Sequence, residues 1–485
     1  MSSLKKNFGY QIAYRILTVI TPLITSPIIS RALGADNLGI YSATQAFANY
    51  FMFAAMLGIE KYGQRTIASA PSTEERQKYF WEIYAVQAIS STTSIIAYFI
   101  IVIHAGGSRI SVMLIQGLWV FSCLLNIGWF YFGCEEFKVT VTRSLIVKLI
   151  TVLLIVLLIR KPKDLALYSL IMAGGTAVSE LVLWISLFKR IKFERPEWSR
   201  VKRHIGPIFT LFIPVIALSV YHIMDKTMLD VLSTEANVGW YYAVDKIIYI
   251  PLGLITAVST VMMTRMSFVL HNEERSHAEA LLEKSSELTM FLTCAVAFGI
   301  AAISKEFIPF FFGPGYEPCI NLMYFFLPVL VIKALGDVVR TQFLIPSKRD
   351  KLYTTAVMCG AVTNVIFNAI LIPDLGATGA VLGTLFAELI VFIVQIGGCR
   401  NEIRFVRIFT KHLYYMINGL AMLIIVRVVA EKVILPNMFL KLILMIIIGA
   451  MFYLGFSGLI WILKKETIFK PYINKILRVL GDKNG

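Results

Sequence analysis

Long apolar segments recur along the whole chain, and this feature most restricts how it can fold. The chain has 485 residues, of which 57% are hydrophobic and 16% are charged, and its mean hydropathy is +0.73. A soluble protein of this size needs a polar surface that such a composition cannot supply. The segments are too long for sheet strands and lack the alternation of a membrane β-barrel. The sequence therefore predicts an all-α polytopic membrane protein.

Fourteen transmembrane helices are predicted from these segments. They cover residues 8–31, 38–59, 81–103, 111–132, 140–159, 165–187, 207–231, 238–264, 286–309, 318–340, 352–373, 376–397, 413–430 and 439–463. Lys5 and Lys6 precede the first segment, but no A-x-A cleavage site follows it. We interpret that segment as a retained helix and not as a signal peptide.

The net charge of +16 is explained by membrane orientation and not by nucleic-acid binding. The loop at 188–206 alone contains seven Lys or Arg residues, and the tail after Lys464 is also basic. Placing both termini in the cytoplasm puts nearly all basic loops on that side, except the run Arg160–Lys163. We therefore expect a multi-pass membrane protein with cytoplasmic N- and C-termini.

The chain also repeats itself at half length. The sequence Asn37–Tyr41 returns 200 residues later as Asn237–Tyr241, and the pattern T-x-x-x-E-L occurs at 176–181 and 384–389. Two pseudo-symmetric bundles are typical of proteins that move a solute between them. The predicted domains are an N-lobe at 1–187, a basic cytoplasmic linker at 188–206, a C-lobe at 207–400, helices 13 and 14 at 401–463, and a basic cytoplasmic tail at 464–485.

Charged and amide side chains occur inside several predicted helices, spaced three or four residues apart. Such spacing puts each set on one helix face. A charge at the bilayer centre costs roughly 2.5–3.5 kcal/mol on insertion scales, so these faces are expected to line a water-filled interior. Basic groups match or outnumber acidic groups there, which favours an anionic substrate.

Each of these residues also has a purely structural interpretation. Lys333 and Asp337, four residues apart, are placed to neutralise each other, and Asn364 is placed to join neighbouring helices. Glu180 and Glu388 are placed either to cap a helix or to form a structural ion pair. Arg15 lies near a helix end and is placed to extend to the membrane surface, as are Asp225 and Lys226.

Motifs that carry enzymatic chemistry are absent from the sequence. There is no G-x-x-x-x-G-K-[ST], H-E-x-x-H, G-x-S-x-G or sugar-nucleotide D-x-D motif, and the six cysteines are scattered without a C-x-x-C. We expect no enzyme activity, no cofactor and no metal. Energy for transport is then expected from ion gradients, the membrane potential or the substrate gradient.

Four stretches of the chain together resemble Wzx-type polysaccharide flippases. They are Ile28–Tyr41, Trp129–Lys138, Phe311–Tyr316 and Asn364–Ala380. The family, which exports repeat units of O-antigen, capsule or exopolysaccharide, belongs to the multidrug/oligosaccharidyl-lipid/polysaccharide exporter superfamily. The resemblance implies two six-helix lobes around a central cavity, two peripheral helices and alternating access. It also implies an undecaprenyl-pyrophosphate-linked oligosaccharide as substrate, moved from the inner to the outer leaflet of the bacterial cytoplasmic membrane.

The residues that fit such a substrate fall into three groups. The predicted head-group ligands are Arg15, Arg31, Lys226, Lys246, Lys333 and Arg340. The predicted glycan-facing residues are Gln45, Asn49, Gln342 and Asn364. The predicted ion-coupling residues are Asp225, Asp245, Asp337, Glu180 and Glu388. Membrane lipid, a polysaccharide polymerase and a chain-length regulator are the expected partners besides the lipid-linked glycan.

Three other functions remain open from the sequence. A lipid II flippase would have the same fold. A multidrug cation antiporter of the same superfamily would need an acidic, aromatic cavity, which the basic excess disfavours. A membrane polymerase or ligase of lipid-linked sugars usually carries a large outside loop, and no predicted loop here exceeds about 25 residues.

Overall fold

The computed structural model describes residues 2–272, 275–464 and 467–470, and within these ranges it contains helices and no strand. The predicted all-α class is therefore confirmed. The helices are α1 (Ser2–Met56), α2 (Ile59–Ala68), α3 (Thr73–Ala105), α4 (Ile110–Leu125), α5 (Gly128–Gly133), α6 (Phe137–Leu158), α7 (Leu165–Leu187), α8 (Trp198–Leu232), α9 (Glu235–Asn272), α10 (Arg275–Phe312), α11 (Pro318–Val339), α12 (Asp350–Leu375), α13 (Ala377–Cys399), α14 (Phe405–Thr410), α15 (Tyr414–Lys432) and α16 (Met438–Leu463).

Eleven helices in the described part of the chain are long and apolar enough to cross a membrane. This confirms a polytopic membrane protein, whereas the count of fourteen spans is not confirmed. Of the other three predicted spans, 8–31 and most of 38–59 lie in α1, and 207–231 lies in α8. Neither helix is among the eleven, so fourteen stays a prediction.

The first two predicted helices form one element that bends at Gly34. The backbone there has φ +78° and ψ 172°, a region that essentially only glycine adopts because a Cβ would clash. Close to the break, the Asn37 side-chain amide donates a hydrogen bond of 2.9 Å to the carbonyl of Leu33. The chain therefore redirects α1 at a single residue and does not need a loop.

The chain forms two compact units, residues 1–242 and 243–485. Within the first unit, α8 packs against α1, α2 and α3. Val201 and Ile208 of α8 share a buried cluster with Ile59 of α2 and Phe80 of α3. These contacts tie the helix after the basic linker to the first unit. The domain limits drawn from the sequence, with a boundary at 188–206, stay a prediction.

The two copies of the sequence repeat contact each other inside the first unit. A Cβ added to Gly39 would lie 1.8 Å from the carbonyl oxygen of Glu235, and one added to Gly239 would lie 2.0 Å from that of Ala35. The contact is reciprocal, since each glycine faces the residue four positions before the other glycine. The repeated glycines are therefore explained by close backbone approach.

A group of three charged side chains lies in the same unit, around the turn that starts the second copy. Arg109 pairs with Asp230 at 2.5 Å and with Glu235 at 2.8 Å. Arg109 directly precedes α4, whereas Asp230 and Glu235 lie on either side of the turn between α8 and α9. One guanidinium thus joins two turns that are distant in sequence.

In the second unit, α15 and α16 are fixed to α10 by polar contacts. Arg427 of α15 pairs with Glu306 of α10 at 2.5 Å, and Lys441 of α16 lies 3.5 Å from the same carboxylate. Asn418 of α15 donates to the hydroxyl of Ser457 at 2.9 Å. The few polar residues of these two helices are therefore explained by packing.

Candidate functional site

Lys333 of α11 and Glu388 of α13 form an ion pair inside the second unit. The ammonium lies 2.9 Å from the carboxylate, and the two side chains are only 15% and 11% exposed. The ammonium also donates to the hydroxyl of Tyr249 on α9 at 3.1 Å. Pairing and hydrogen bonding make such burial tolerable. The structure thus joins a predicted head-group ligand to a predicted ion-coupling residue.

Arg340 and Asp337 form a second pair one turn apart. The guanidinium donates to the buried carboxylate, and the Thr341 hydroxyl donates to the same oxygen at 2.9 Å. Arg340 opens a π-helical turn, Arg340–Leu344, of a kind frequent at functional sites. The pairing of Lys333 with Asp337 that the sequence left open does not occur, because each residue has another partner.

The repeated T-x-x-x-E-L pattern places a glutamate in an ion pair in both units. Glu388 pairs with Lys333, and Glu180 of α7 pairs with Arg143 of α6 at 3.0 Å. Arg143 also donates to the carbonyl of Ser179 at 2.8 Å. Arg143 was missing from the predicted site residues. The available signal was a basic residue inside an apolar helix.

Asp225 and Lys226 are held by two aromatic residues from the start of α9. The buried Asp225 carboxylate accepts a hydrogen bond of 2.6 Å from the hydroxyl of Tyr241. The Lys226 ammonium lies 5.5 Å from the ring centre of Tyr242, within cation–π range. Since Tyr241 belongs to the second copy of the repeat, the repeat also carries a contact to a predicted site residue.

The remaining predicted residues differ in exposure. Gln342 is fully buried and donates to Ser259 at 3.0 Å, and Asn364 accepts from Asn368 at 3.2 Å. The Gln342 bond joins two helical segments, whereas the bond between Asn364 and Asn368 lies within α12. Arg31 is exposed, whereas the half-buried residues are Gln45, Asn49, Asp245 and Lys246. The side chain of Arg15 lies outside the described residues. All these site roles stay predictions.

An open cavity of about 620 Å³ lies against α9 in the second unit. It is lined by Thr260, Val261, Thr264, Arg265 and Phe268. The exposed Arg265 guanidinium lies 5.3 Å from the ring centre of Phe268. A guanidinium matches phosphate oxygens in pairs, and hydroxyl groups suit sugars. Arg265 was missed from the sequence, although the fourfold spacing of Thr256, Thr260 and Thr264 pointed to this face.

The His, Cys, Asp and Glu side chains bear on whether the protein could hold a metal ion. Within the described ranges, no three His, Cys, Asp or Glu residues are placed to hold a metal ion. None of the six cysteines is in a disulfide, and Cys123, Cys294, Cys319 and Cys399 are buried. These thiols act as small packing groups.

Known proteins resemble this chain in sequence and in fold. Residues 4–269 match the family model described as polysaccharide biosynthesis protein. A protein named as an O-antigen transporter in Shigella dysenteriae is 21% identical over 399 residues, covering 81% of this chain and 99% of the relative. A protein of the same name in Escherichia coli K12 is 20% identical over 408 residues, covering 82% of this chain and 97% of the relative.

Two solved structures share the fold over most of their length. The lipid II flippase MurJ, in an inward closed conformation, gives a TM-score of 0.73 at 16% identity and covers 94% of this chain and 98% of its own. An inward-facing multidrug transporter of the MATE family gives a TM-score of 0.63 at 13% identity. The match covers 81% of this chain and 95% of the transporter. At 16% and 13% sequence identity, the structural similarity shows a shared fold and does not show a shared function.

The spanning helices, the charged pairs between them and the shared fold define a multi-pass α-helical membrane protein with a transporter fold. Because the family model covers more than half of the residues, the chain belongs to the polysaccharide biosynthesis protein family. The resemblance noted in the sequence, to Wzx-type polysaccharide flippases, is thereby confirmed.

Proposed function

We propose that this protein moves an undecaprenyl-pyrophosphate-linked oligosaccharide from the inner to the outer leaflet of the bacterial cytoplasmic membrane. The observation that carries the proposal is the cavity against α9 with Arg265 in its lining. The guanidinium suits a pyrophosphate, the hydroxyls of Thr260 and Thr264 suit sugars, and Phe268 suits an apolar chain. The O-antigen transporters among the relatives support this class of cargo.

Alternating access is the proposed mechanism, driven by an ion gradient or the membrane potential, with both termini in the cytoplasm. The pair of Lys333 and Glu388 is the proposed coupling element. A pyrophosphate that attracts the ammonium weakens its bond to the carboxylate, and the released carboxylate then takes up a cation or proton. Arg31, Lys226 and Lys246 are proposed as further head-group ligands. A polysaccharide polymerase and a chain-length regulator are proposed partners.

The experiment reconstitutes the purified protein in vesicles that carry a polyprenyl-pyrophosphate glycan on one leaflet. An enzyme added outside modifies only the glycan that has crossed. Arg265→Gln should reduce crossing by roughly ten- to a hundredfold, since a hydrogen bond to a charged group contributes about 1.5–3 kcal/mol. Arg265→Lys should retain part of the activity. Lys432→Gln, an exposed charge at the end of α15, is the matched control and should leave crossing unchanged.

The same vesicles separate the competing transport functions. Lipid II and an O-antigen-type substrate are offered in parallel, and a fluorescent cationic dye is offered to test multidrug antiport. The proposal expects crossing of the O-antigen-type substrate in preference to lipid II, and no dye movement. Dye efflux without glycan crossing would refute it, as would an Arg265→Gln protein as active as the wild type.

A further inference from the structure

Aromatic and basic side chains are interleaved on the surface between residues 188 and 209. This segment follows directly after a helix that is able to cross a membrane, Pro162–Leu187, so it lies where that span leaves the bilayer. Its exposed aromatic residues are Phe188 (61% exposed), Phe193 (65%), Trp198 (54%) and Phe209 (50%). We call the exposed residues of 188–209 the interfacial surface.

Contacts to α3 hold the first part of this segment in place. The indole of Trp81 donates to the carbonyl of Lys192 at 2.8 Å, and the amide of Lys192 donates to Gln77 at 3.0 Å. Ile191 is buried, and the ring of Phe193 lies 4.8 Å from that of Trp81. The backbone is therefore fixed while Phe193 still points outward. Its exposure is a consequence of the packing and not of a loose loop.

The first turns of α8 have two distinct faces. The buried face consists of Val201, His204 and Ile208. The exposed face consists of Trp198, Lys202, Ile205 and Phe209. The spacing of four, three and four residues puts the exposed set on one side of the helix. An outward apolar stripe with a basic residue in it is typical of a helix end at a membrane interface.

The charge of the segment is strongly positive. Residues 188–206 contain seven Lys or Arg and two Glu. Arg190 and Arg200 are engaged with Glu136 and Glu197. The five other basic residues are exposed: Lys189, Lys192, Arg195, Lys202 and Arg203. A small cavity of about 120 Å³ between α3 and residues 194–200 is lined by three carboxylates and three basic groups, so its own charges balance.

We propose that the interfacial surface binds the headgroups of anionic phospholipids and inserts Phe193, Trp198 and Phe209 beside them. Phosphate-bearing headgroups complement the exposed basic residues, which each gain from a negatively charged leaflet. Aromatic rings favour the boundary between headgroups and acyl chains. A soluble acidic partner would satisfy the charges but not the rings. The inference rests on the spanning helices and this surface, and on no property of the transported substrate.

The test measures which lipid lies beside Trp198. The full chain is reconstituted in bilayers that contain brominated phosphatidylglycerol or brominated phosphatidylcholine at equal mole fraction. Subtracting the fluorescence of Trp198→Phe isolates the quenching of that indole. Brominated phosphatidylglycerol should quench it several times more strongly. Replacing Lys202 and Arg203 by Gln should bring the quenching by the two lipids close to equal, because two charges that favour the anionic headgroup are removed.

Two further results decide the proposal. The control variant combines Lys161→Gln with Lys163→Gln, which removes two exposed charges just before the start of α7, at the opposite end of this helix from the interfacial surface. It should leave the quenching of Trp198 unchanged. Equal quenching by the two brominated lipids in the wild type would overturn the proposal, as would an equal loss in this control. No quenching by either lipid would mean that a soluble partner or water covers the surface, and would also overturn it.

Discussion

Replacing Gly39 by alanine tests whether the repeated glycines are needed for backbone contact between the two copies. The new Cβ would lie 1.8 Å from the carbonyl oxygen of Glu235. Carbon and oxygen atoms normally stay about 3.3 Å or more apart, so the segments would have to separate by roughly 1.5 Å. The obstacle is backbone and not a flexible side chain. Rotamer changes therefore cannot relieve the clash.

The expected cost follows from this geometry. Overfilling a packed interior typically costs about 1–3 kcal/mol. For a unit of this size, 1 kcal/mol lowers Tm by about 2–4 °C, so a cost near 2 kcal/mol lowers it by about 4–8 °C. Gly239→Ala should behave alike, because its Cβ would lie 2.0 Å from the carbonyl of Ala35. The double variant should lose less than the sum, since one separation accommodates both methyl groups.

A thiol-reactive fluorophore that reports exposure of buried cysteines during heating in detergent measures these Tm values, and Cys123 provides a buried thiol in the first unit. Gly206→Ala is the matched control, because a Cβ at this glycine of α8 would meet nothing within 4 Å. Its Tm should stay unchanged or rise slightly, as alanine favours helix over glycine. A Gly39→Ala protein that melts within about 1 °C of the control would refute the reasoning.

Two other residues in the second unit give further expectations. Lys333→Gln should lower Tm strongly, because removing one partner of a buried ion pair costs about 3–5 kcal/mol. Adding Glu388→Gln should restore much of the lost stability. A double variant less stable than Lys333→Gln alone would contradict the pairing. His412, between α14 and α15, is buried, and this burial lowers its pKa below the ordinary value. The unfolded chain then binds the proton more readily, so Tm should fall as pH drops below about 6.5. His412→Phe should flatten that part of the curve measured in the same assay, and an unchanged slope would contradict this assignment.

The sequence predicts the architecture well where the pattern is local. Eleven of the predicted spans coincide with long apolar helices, because apolar length alone determines which segments cross a bilayer. The predicted helices 8–31 and 38–59 leave a break between them, and the structure puts the bend at Gly34, inside that interval. Its cause is the backbone conformation of one residue, and hydropathy does not register such a conformation. Similarly, the repeat indicated duplication, but only the three-dimensional structure shows that Gly39 and Gly239 each contact the other copy.

Charge partners were predictable only in part, since they depend on distances between helices. The spacing rule suggested Asp337 for Lys333, four residues away, whereas the actual partner is Glu388 on another helix. Arg143 was overlooked for the same reason, because its partner Glu180 lies on the next helix. The periodicity of side chains shows which residues share one face of a helix, but it does not show which neighbouring helix that face contacts.

These pairings alter the argument from charge to substrate. In the sequence, basic residues matched or outnumbered acidic ones on the polar faces, and that excess favoured an anionic ligand. In the structure Lys333, Arg340 and Arg143 each have a carboxylate beside them, so their charges are compensated and their number says little about the ligand. The cavity against α9 gives a separate geometric argument for an anion, because Arg265 lies there beside the hydroxyl groups of Thr260 and Thr264. A paired base contributes to recognition only if the ligand displaces its carboxylate, which makes Lys333 a better candidate for coupling than for simple binding.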